Sequence, residues 1–281
     1  MTTRWTVVTV TYNSIRHLRR HWSANDDARP FDWLVVDNGS TDGSSDFAEA
    51  KAARVIRNGQ NDGFSAANNI GLDATNTEYV IFVNPDVTVP TNRWGPLLAE
   101  TVEATGGLVA PQLLNIDGSE QLNARGFPLL SAKIRNRLAP SSKQGQDYAR
   151  GGFEEPTYCV WAMGAAVGGR TTDFRKIGGW DSSYILYYED HDLGLRAWKS
   201  GLSVALDPRV RWVHDWQRKT TGPDLGAWRL EFDSMRTFYK RYPEFLRGAH
   251  SSFRTSAISR DSSYRTAAQK LWKPISTNGA V

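Results

Sequence analysis

Glu189, Asp190 and Asp192 fall within four positions of "GGWDSSYILYYEDHDLGLRAWKSGL", residues 178–202. Acids that open a helical pattern complement the helix dipole, which accounts for one or two of them. These also follow "SYILYY", an aromatic and apolar run that walls off solvent. A carboxylate in such a wall gains basicity by partial desolvation and can serve as a general base. A second acid stands in "YVIFVNPDVTVP" (79–90), where an apolar run meets Asn84-Pro85-Asp86. Pro85 cannot donate to a sheet ladder and Asp86 is costly to bury, so a strand must end there. Alone, Asn-Pro-Asp is ordinary turn chemistry. As a strand exit it can offer Asp86 to a hard divalent cation that bridges phosphate oxygens. His214, in "VRWVHDW", is the best remaining candidate for a further ligand to that cation.

These residues need elements to hold them. Apolar, β-branched runs recur at 5–11, 32–37, 53–58 and 79–84, with helical spacing between them over 14–24, 44–53 and 64–75. The alternation predicts βαβ units, an α/β fold and a mostly parallel sheet flanked by helices. Such sheets bind ligands beyond the carboxyl ends of their strands. The exits here are polar throughout: Thr11-Tyr12-Asn13, Asp37-Asn38-Gly39-Ser40-Thr41-Asp42, Asn58 with "GQNDGFSAANN", and Asn84-Pro85-Asp86. Asp37 can accept from ribose or base donors and Tyr12 can stack on a base. Each loop alone is also what a turn requires, but four amide- or acid-bearing exits on one edge point to a ligand crevice.

Between 106 and 152 the pattern is less regular. "QLNARGFPLLSAKIRNRLAP" has room for a short helix, "PSSKQGQDYARGG" reads as an exposed loop, and Arg125 faces either an anionic ligand or solvent. "YCVWAMGAAVGGR" (158–170) is an apolar run whose small residues let a ligand approach the backbone or let a strand bend. Beyond Trp216, the spacing of Trp228, Phe232, Met235, Phe238 and Tyr239 predicts a helix packed on the main domain.

Bulk composition narrows the class. The chain has 281 residues, 40% of them apolar, and eleven Trp, which suits a folded protein with a sizeable core. No run approaches the roughly 18 apolar residues that span a bilayer, and "MTTRWTVVTV" enters a strand pattern with no room for a signal peptide. One cysteine, Cys159, excludes an internal disulfide framework and a cysteine-based zinc site, and it suits a reducing cytoplasm. Net charge is +4, and from Arg241 onward seven Lys or Arg face two acids, Glu244 and Asp261. That basic tail suits a solvated surface, or contact with the inner face of a cell membrane through Tyr264, Lys270, Trp272 and Lys273. Nucleic acid is not expected as a partner, because the crevice edge is acidic.

Six stretches in order, "VVTVTYNS", "WLVVDNGSTDGS", "NDGFSAANNIGL", "VIFVNPDV", "MGAAVGGRTTDFRKIGGWDSSYILYYEDHDLGLRAWKSG" and "VRWVHDW", cover most of residues 5–216. Together they resemble the inverting nucleotide-sugar glycosyltransferases of family 2, which have the GT-A fold, and especially the bacterial rhamnosyltransferase-like members that build cell-surface polysaccharides. The resemblance implies a GT-A domain over 1–222, with a nucleotide-binding half to about 105 and an acceptor half after it, followed by a basic helical extension over 223–281. It implies that Thr11, Tyr12, Asn13 and Asp37 line the nucleotide pocket, with Asn61, Gly63, Phe64, Asn68 and Asn69 in the loop that approaches the diphosphate. Asn84-Pro85-Asp86 takes the place of the Asp-x-Asp metal motif, and His214 matches a histidine that completes the metal site.

Glu189-Asp190 matches the pair containing the catalytic base, Asp190 first and Glu189 as runner-up. Trp161, Gly164, Ala165 and Trp180 would serve the donor sugar and acceptor. Since Asn84 replaces the first Asp of the motif, Mg²⁺ or Mn²⁺ is expected to arrive with the donor. The implied donor is dTDP-rhamnose, with a UDP-linked hexose or N-acetylhexosamine as the alternative, and the implied acceptor a glycan or lipid-linked sugar. A non-catalytic nucleotide-sugar-binding subunit is the competing reading of another class, and a homodimer is carried as an open expectation.

Overall fold

The computed structural model describes residues 4–23, 29–51, 53–91, 94–216, 225–246 and 261–275. The boundary expected at 222/223 lies outside these, as do Arg247, Arg254 and Arg260 of the basic tail. The first half alternates strand and helix as the sequence predicts: β1 (Trp5–Thr11), α1 (Ile15–His21), β2 (Asp32–Asp37), α2 (Ser44–Ala50), β3 (Arg54–Arg57), α3 (Phe64–Asp73), β4 (Tyr79–Val83), β5 (Val87–Thr88) and α4 (Trp94–Thr105). The second half holds β6 (Leu108–Leu114), β7 (Ala124–Arg125), α5 (Leu130–Leu138), α6 (Lys143–Tyr148), β8 (Ala149–Arg150), β9 (Thr157–Cys159), β10 (Trp161–Ala162), β11 (Ala166–Arg170), α7 (Thr171–Lys176), α8 (Glu189–Lys199), β12 (Val204–His214), α9 (Leu225–Arg241) and α10 (Ser262–Lys270).

A nine-stranded sheet runs β3-β2-β1-β4-β11-β6-β12-β5, with β9 also on β12. It is parallel from β3 to β4 and mixed beyond, because β11 enters antiparallel to both β4 and β6. β6 and β12 are parallel to each other. The carboxyl ends of β1, β2, β4 and β12 and the amino end of β11 therefore share one edge. Successive strand residues feed opposite cores, as a period of two requires. Val8, Leu34, Val36, Val80 and Phe82 pack on the side of α3 and α8. Trp5, Val7, Val35, Ile81 and Val83 pack with Leu18 of α1 and Leu98 of α4. Gly71 lets α3 sit tightly on β1, since a Cβ there would stand 2.4 Å from a Val8 methyl.

Three readings of the sequence change. "PSSKQGQDYARGG" is not a loop throughout: Ser142 accepts from Gly145 N at 3.2 Å and starts α6, and Tyr148 and Ala149 bury at its end. The aromatic tail also turns inward. Tyr264 is buried, Trp272 stacks on Phe153 with ring centroids 5.6 Å apart, and Lys270 lies over Tyr158. Backbone bonds from Trp272 N to Tyr158 O and from Ile275 N to Pro156 O extend the sheet beside β9. The helical stripe of α9 splits: Phe238 and Tyr239 are buried under the α8 side, whereas Trp228 and Phe232 are exposed.

Candidate functional site

Several of the buried polar atoms that have no hydrogen-bond partner among the described residues lie at the shared edge. They are Thr11 Oγ1, Asp37 Oδ1, Ser65 Oγ, Asn68 Nδ2, Asn84 Oδ1, Trp180 Nε1, Glu189 Oε2 and His214 Nε2. Buried polar groups are nearly always satisfied, so a row of exceptions along one edge marks a place built for a polar ligand. Around them the loops are tied down. Asn38 donates to Asn61 Oδ1 at 2.8 Å and to Gly63 O at 3.2 Å, while its own oxygen accepts from Asn58 and Asp62 N. This fixes the β2 exit to the loop before α3. Asn13, at φ 49°, accepts from Thr41 N at 2.9 Å and holds the β1 exit to the β2 exit. Asp37 is buried, with one oxygen accepting from Ser40 N, and half-exposed Tyr12 follows Thr11, the residue that faces Asp37 across the sheet.

Gly63 carries φ 89° and a Cβ on it would meet Ile185 backbone at 3.0 Å. The close approach serves a bond from Phe64 N to Ile185 O, which ties the α3 start to the loop before α8. Asn69 completes the tie by accepting from Trp180 N at 2.8 Å and donating to Trp180 O at 2.7 Å.

At one end stand Asp86 and His214. Gln121 Oε1 lies 2.8 Å from His214 Nδ1, and Gln121 Nε2 donates to His214 O and to Asn115. A glutamine oxygen can only accept, so Nδ1 carries the hydrogen and the Nε2 lone pair faces Asp86 Oδ1 at 3.6 Å. Burial lowers the histidine to about 4 against the pull of Asp215, so it is neutral and able to bind a metal at neutral pH. Two ligands at about 2.1 Å from one ion, subtending roughly a right angle or somewhat more, sit about 3.0 to 3.6 Å apart. The pair thus fits a divalent cation, with a single carboxylate and one imidazole from the chain.

The other end is the α8 amino terminus, where Tyr188 takes φ 69° to turn the chain into the helix. Asp190 Oδ1 accepts from His191 N at 2.8 Å and faces His191 Nδ1 at 2.7 Å; Oδ2 accepts from Gly164 N at 3.1 Å. Burial pushes Asp190 up, but His191 and the two amides outweigh it and hold the carboxyl below its ordinary value. Glu189 goes the other way: burial, then the charge of Asp190, raise it well above its ordinary value. The shifts draw the two carboxyls apart, Asp190 toward the ionised form and Glu189 toward the neutral one, so the gain in basicity expected from desolvation falls on Glu189, while its hydrogen bonds hold Asp190 down. His191 stacks on Trp161 at 3.5 Å, which fixes the ring that orients Asp190.

The two ends are connected. Asn84 N donates to Ala165 O at 2.9 Å, and the next residue back, Gly164, donates to Asp190. A Cβ on Gly164 would touch both Asp190 and Trp180. Thr11, Asp37, Asn61, Gly63, Phe64, Asn68, Asn84, Asp86, Gly164, Ala165, Trp180, Glu189, Asp190 and His214 all lie at this edge. Arg125 does not: it lies in the small sheet β10-β7-β8, its guanidinium 5.6 Å from the Tyr148 ring and 5.8 Å from that of Trp161. Burial chiefly, with the cations of Lys133 and then Arg125 adding to it, opposes protonation of His191. Three residues have roles at the site that the sequence reading does not assign. His191 sits in the same "EDHD" and was visible; Asn38 was masked by its neighbour Asp37. Gln121, 93 positions from His214, left no local signal.

Comparison with known proteins gives the family and the fold. Residues 6–159 match the model of the family described as Glycosyl transferase family 2. An N-acetylglucosaminyl-diphospho-decaprenol L-rhamnosyltransferase of Mycobacterium tuberculosis is 30% identical over 244 residues, 78% of each chain. Rhamnosyltransferase WbbL of Escherichia coli is 26% identical over 164 residues, 54% of this chain and 60% of that one. Among solved structures, the mannosyltransferase PcManGT from Pyrobaculum calidifontis, in complex with GDP-Man and Mn²⁺, superposes with a TM-score of 0.54 at 16% identity, covering 95% of this chain and 74% of the other. GalNAc-T7 with UDP, GalNAc and Mn²⁺ gives 0.53 at 17% identity, covering 96% of this chain and 55% of that one. The shared fold is the GT-A arrangement of helices around a mixed sheet.

Proposed function

Since the chain belongs to glycosyl transferase family 2, we propose that it transfers a sugar, with inversion, from a nucleoside-diphosphate donor to a hydroxyl of a lipid-linked acceptor in cell-surface polysaccharide synthesis. The donor we favour is dTDP-rhamnose. The observation that carries the reading is the row of unsatisfied buried polar atoms with a metal-fitting pair at one end and an ionised carboxylate at the other. The two rhamnosyltransferase relatives support the sugar, and the name of the mycobacterial one supports an acceptor of the polyprenyl-diphosphate class.

In this reading Asp37 accepts a base or ribose donor and Tyr12 stacks on the base. Asp86 and His214 would hold Mg²⁺ or Mn²⁺, which supplies positive charge to the departing diphosphate. Asp190 takes the proton of the acceptor hydroxyl. The freed oxygen forms its bond to the anomeric carbon from the face opposite the diphosphate. The bond from that carbon to the phosphate oxygen breaks, and its electron pair leaves with the nucleotide. Asp190 is chosen over Glu189 because its surroundings favour the ionised form and its side chain is partly exposed, whereas Glu189 is buried and shifted toward the neutral form.

The test is transfer to a GlcNAc-diphospho-polyprenol from a panel of nucleotide sugars. Turnover with dTDP-rhamnose, giving a product of opposite anomeric configuration, is expected. Turnover with a UDP-sugar instead would move the donor, and none with any donor would contradict an active transferase.

A further inference from the structure

Two neighbouring helices each present a pair of apolar side chains to solvent. On α5, Ile134 and Leu138 are 49% and 79% exposed; on α9, Trp228 and Phe232 are 37% and 60% exposed. Each pair is spaced i, i+4 and so lies on one stripe of its helix. The stripes are neighbours: Lys133 pairs with Glu231 at 3.4 Å, and the Arg137 guanidinium lies 4.9 Å over the Trp228 ring. Four large apolar residues thus share a surface of the described chain, and lone exposed apolar residues need explanation only when they cluster like this.

The charge around them is one-sided. Residues 128–143 carry Lys133, Arg135, Arg137 and Lys143 with no acid. Arg229 and Arg236 are exposed on α9, against Asp233 alone among its exposed acids. A self-complementary dimer would bring like charges face to face, which costs binding energy. Apolar residues set among arginines instead match an interface where hydrocarbon lies beneath a negative headgroup layer.

The position is also informative. Lys133 Nζ donates to Tyr188 OH and stands 3.9 Å over its ring; Tyr188 stacks on His191, the partner of Asp190. Ser234 of α9 donates to Leu186 O in the loop that leads to Glu189. The two helices that carry the patch therefore pack on the loop and the rings that position Asp190.

We propose that the α5–α9 face, with Ile134, Leu138, Trp228 and Phe232 at its centre, docks on an anionic lipid bilayer. The inference rests on the lipid-linked acceptor reading for its purpose, since docking here holds Asp190 beside the headgroup layer from which such an acceptor emerges. It replaces the basic tail as the membrane contact, because Tyr264 and Trp272 are turned inward.

The test is co-sedimentation of the full chain with phosphatidylcholine vesicles, with and without phosphatidylglycerol, in the absence of donor and acceptor. It reads docking alone, so it stands or falls separately from catalysis. Binding to the anionic vesicles is expected, and Leu138→Glu/Phe232→Glu should weaken it at least about tenfold with an unchanged melting temperature. Leu138→Ser, at the most exposed position, should weaken it in the same direction if the double variant is unstable. Arg135→Glu/Arg137→Glu should remove its salt-sensitive part. A wild type that ignores anionic vesicles, or binding lost through Lys270→Glu/Lys273→Glu and kept in Leu138→Glu/Phe232→Glu, overturns the proposal. So does a wild-type dimer that the Leu138→Glu/Phe232→Glu change dissociates, since a second copy would then be the occupant.

Discussion

Asp190→Asn is expected to lower transfer at least about a hundredfold, the scale of a lost general base, while donor binding persists. The substitution keeps an oxygen for His191 but turns an amide toward Gly164 N, which now donates to Asp190 Oδ2 at 3.1 Å. One buried donor loses its acceptor, at a cost of about 1 kcal/mol of stability. Turnover should therefore fall far more than folding does. The pH dependence follows from the direction of the two shifts. Asp190 is held below its ordinary value, so the base stays ionised through neutral pH and its activity is lost only as pH falls through that lowered value. By the same linkage, its contribution to stability is present above the unfolded value and fades on acidification. Glu189 is shifted toward its neutral form, which glutamine mimics, and Glu189→Gln should cost less than about tenfold. The reverse order, with Glu189→Gln inactive and Asp190→Asn active, would assign the base to Glu189.

Asp86→Ala should be nearly as damaging. With Asn84 at the first position of the motif, Asp86 is the single carboxylate of the pair that faces His214 Nε2 at 3.6 Å. Losses of ten- to a hundredfold follow from disturbing groups that merely orient a ligand, so removal of the ligand itself should cost about a hundredfold or more. Residual turnover should also become indifferent to EDTA, because the remaining imidazole offers one bond to an ion that needs several. Turnover of Asp86→Ala that matches the wild type and is still abolished by EDTA would place the metal elsewhere.

Much of the nucleotide half is legible in the sequence. β1 and β2 coincide with their β-branched runs at 5–11 and 32–37, since buried parallel strands leave near-continuous apolar stretches. The exit at Asp86 is legible for a related reason, as proline and an acid cannot continue such a strand. Legibility fails where contacts are distant. Nothing local says that β11 slots antiparallel between β4 and β6, or that Gln121 sets the tautomer of His214. Nor does the tail declare its orientation: Tyr264 and Trp272 among basic residues look amphipathic, and only packing against Phe127 and Phe153 turns them inward. The opposing shifts of Glu189 and Asp190 are likewise invisible in "ED", because they depend on which carboxyl meets Gly164 and His191.

The most direct measurement is calorimetric titration of dTDP, UDP and GDP into the wild-type protein, first with Mg²⁺ or Mn²⁺ and then with EDTA. The account predicts saturable binding of one nucleotide, dTDP by preference, that needs the cation and disappears with it. Binding of equal strength with and without metal, or no binding of any of the three, would contradict it.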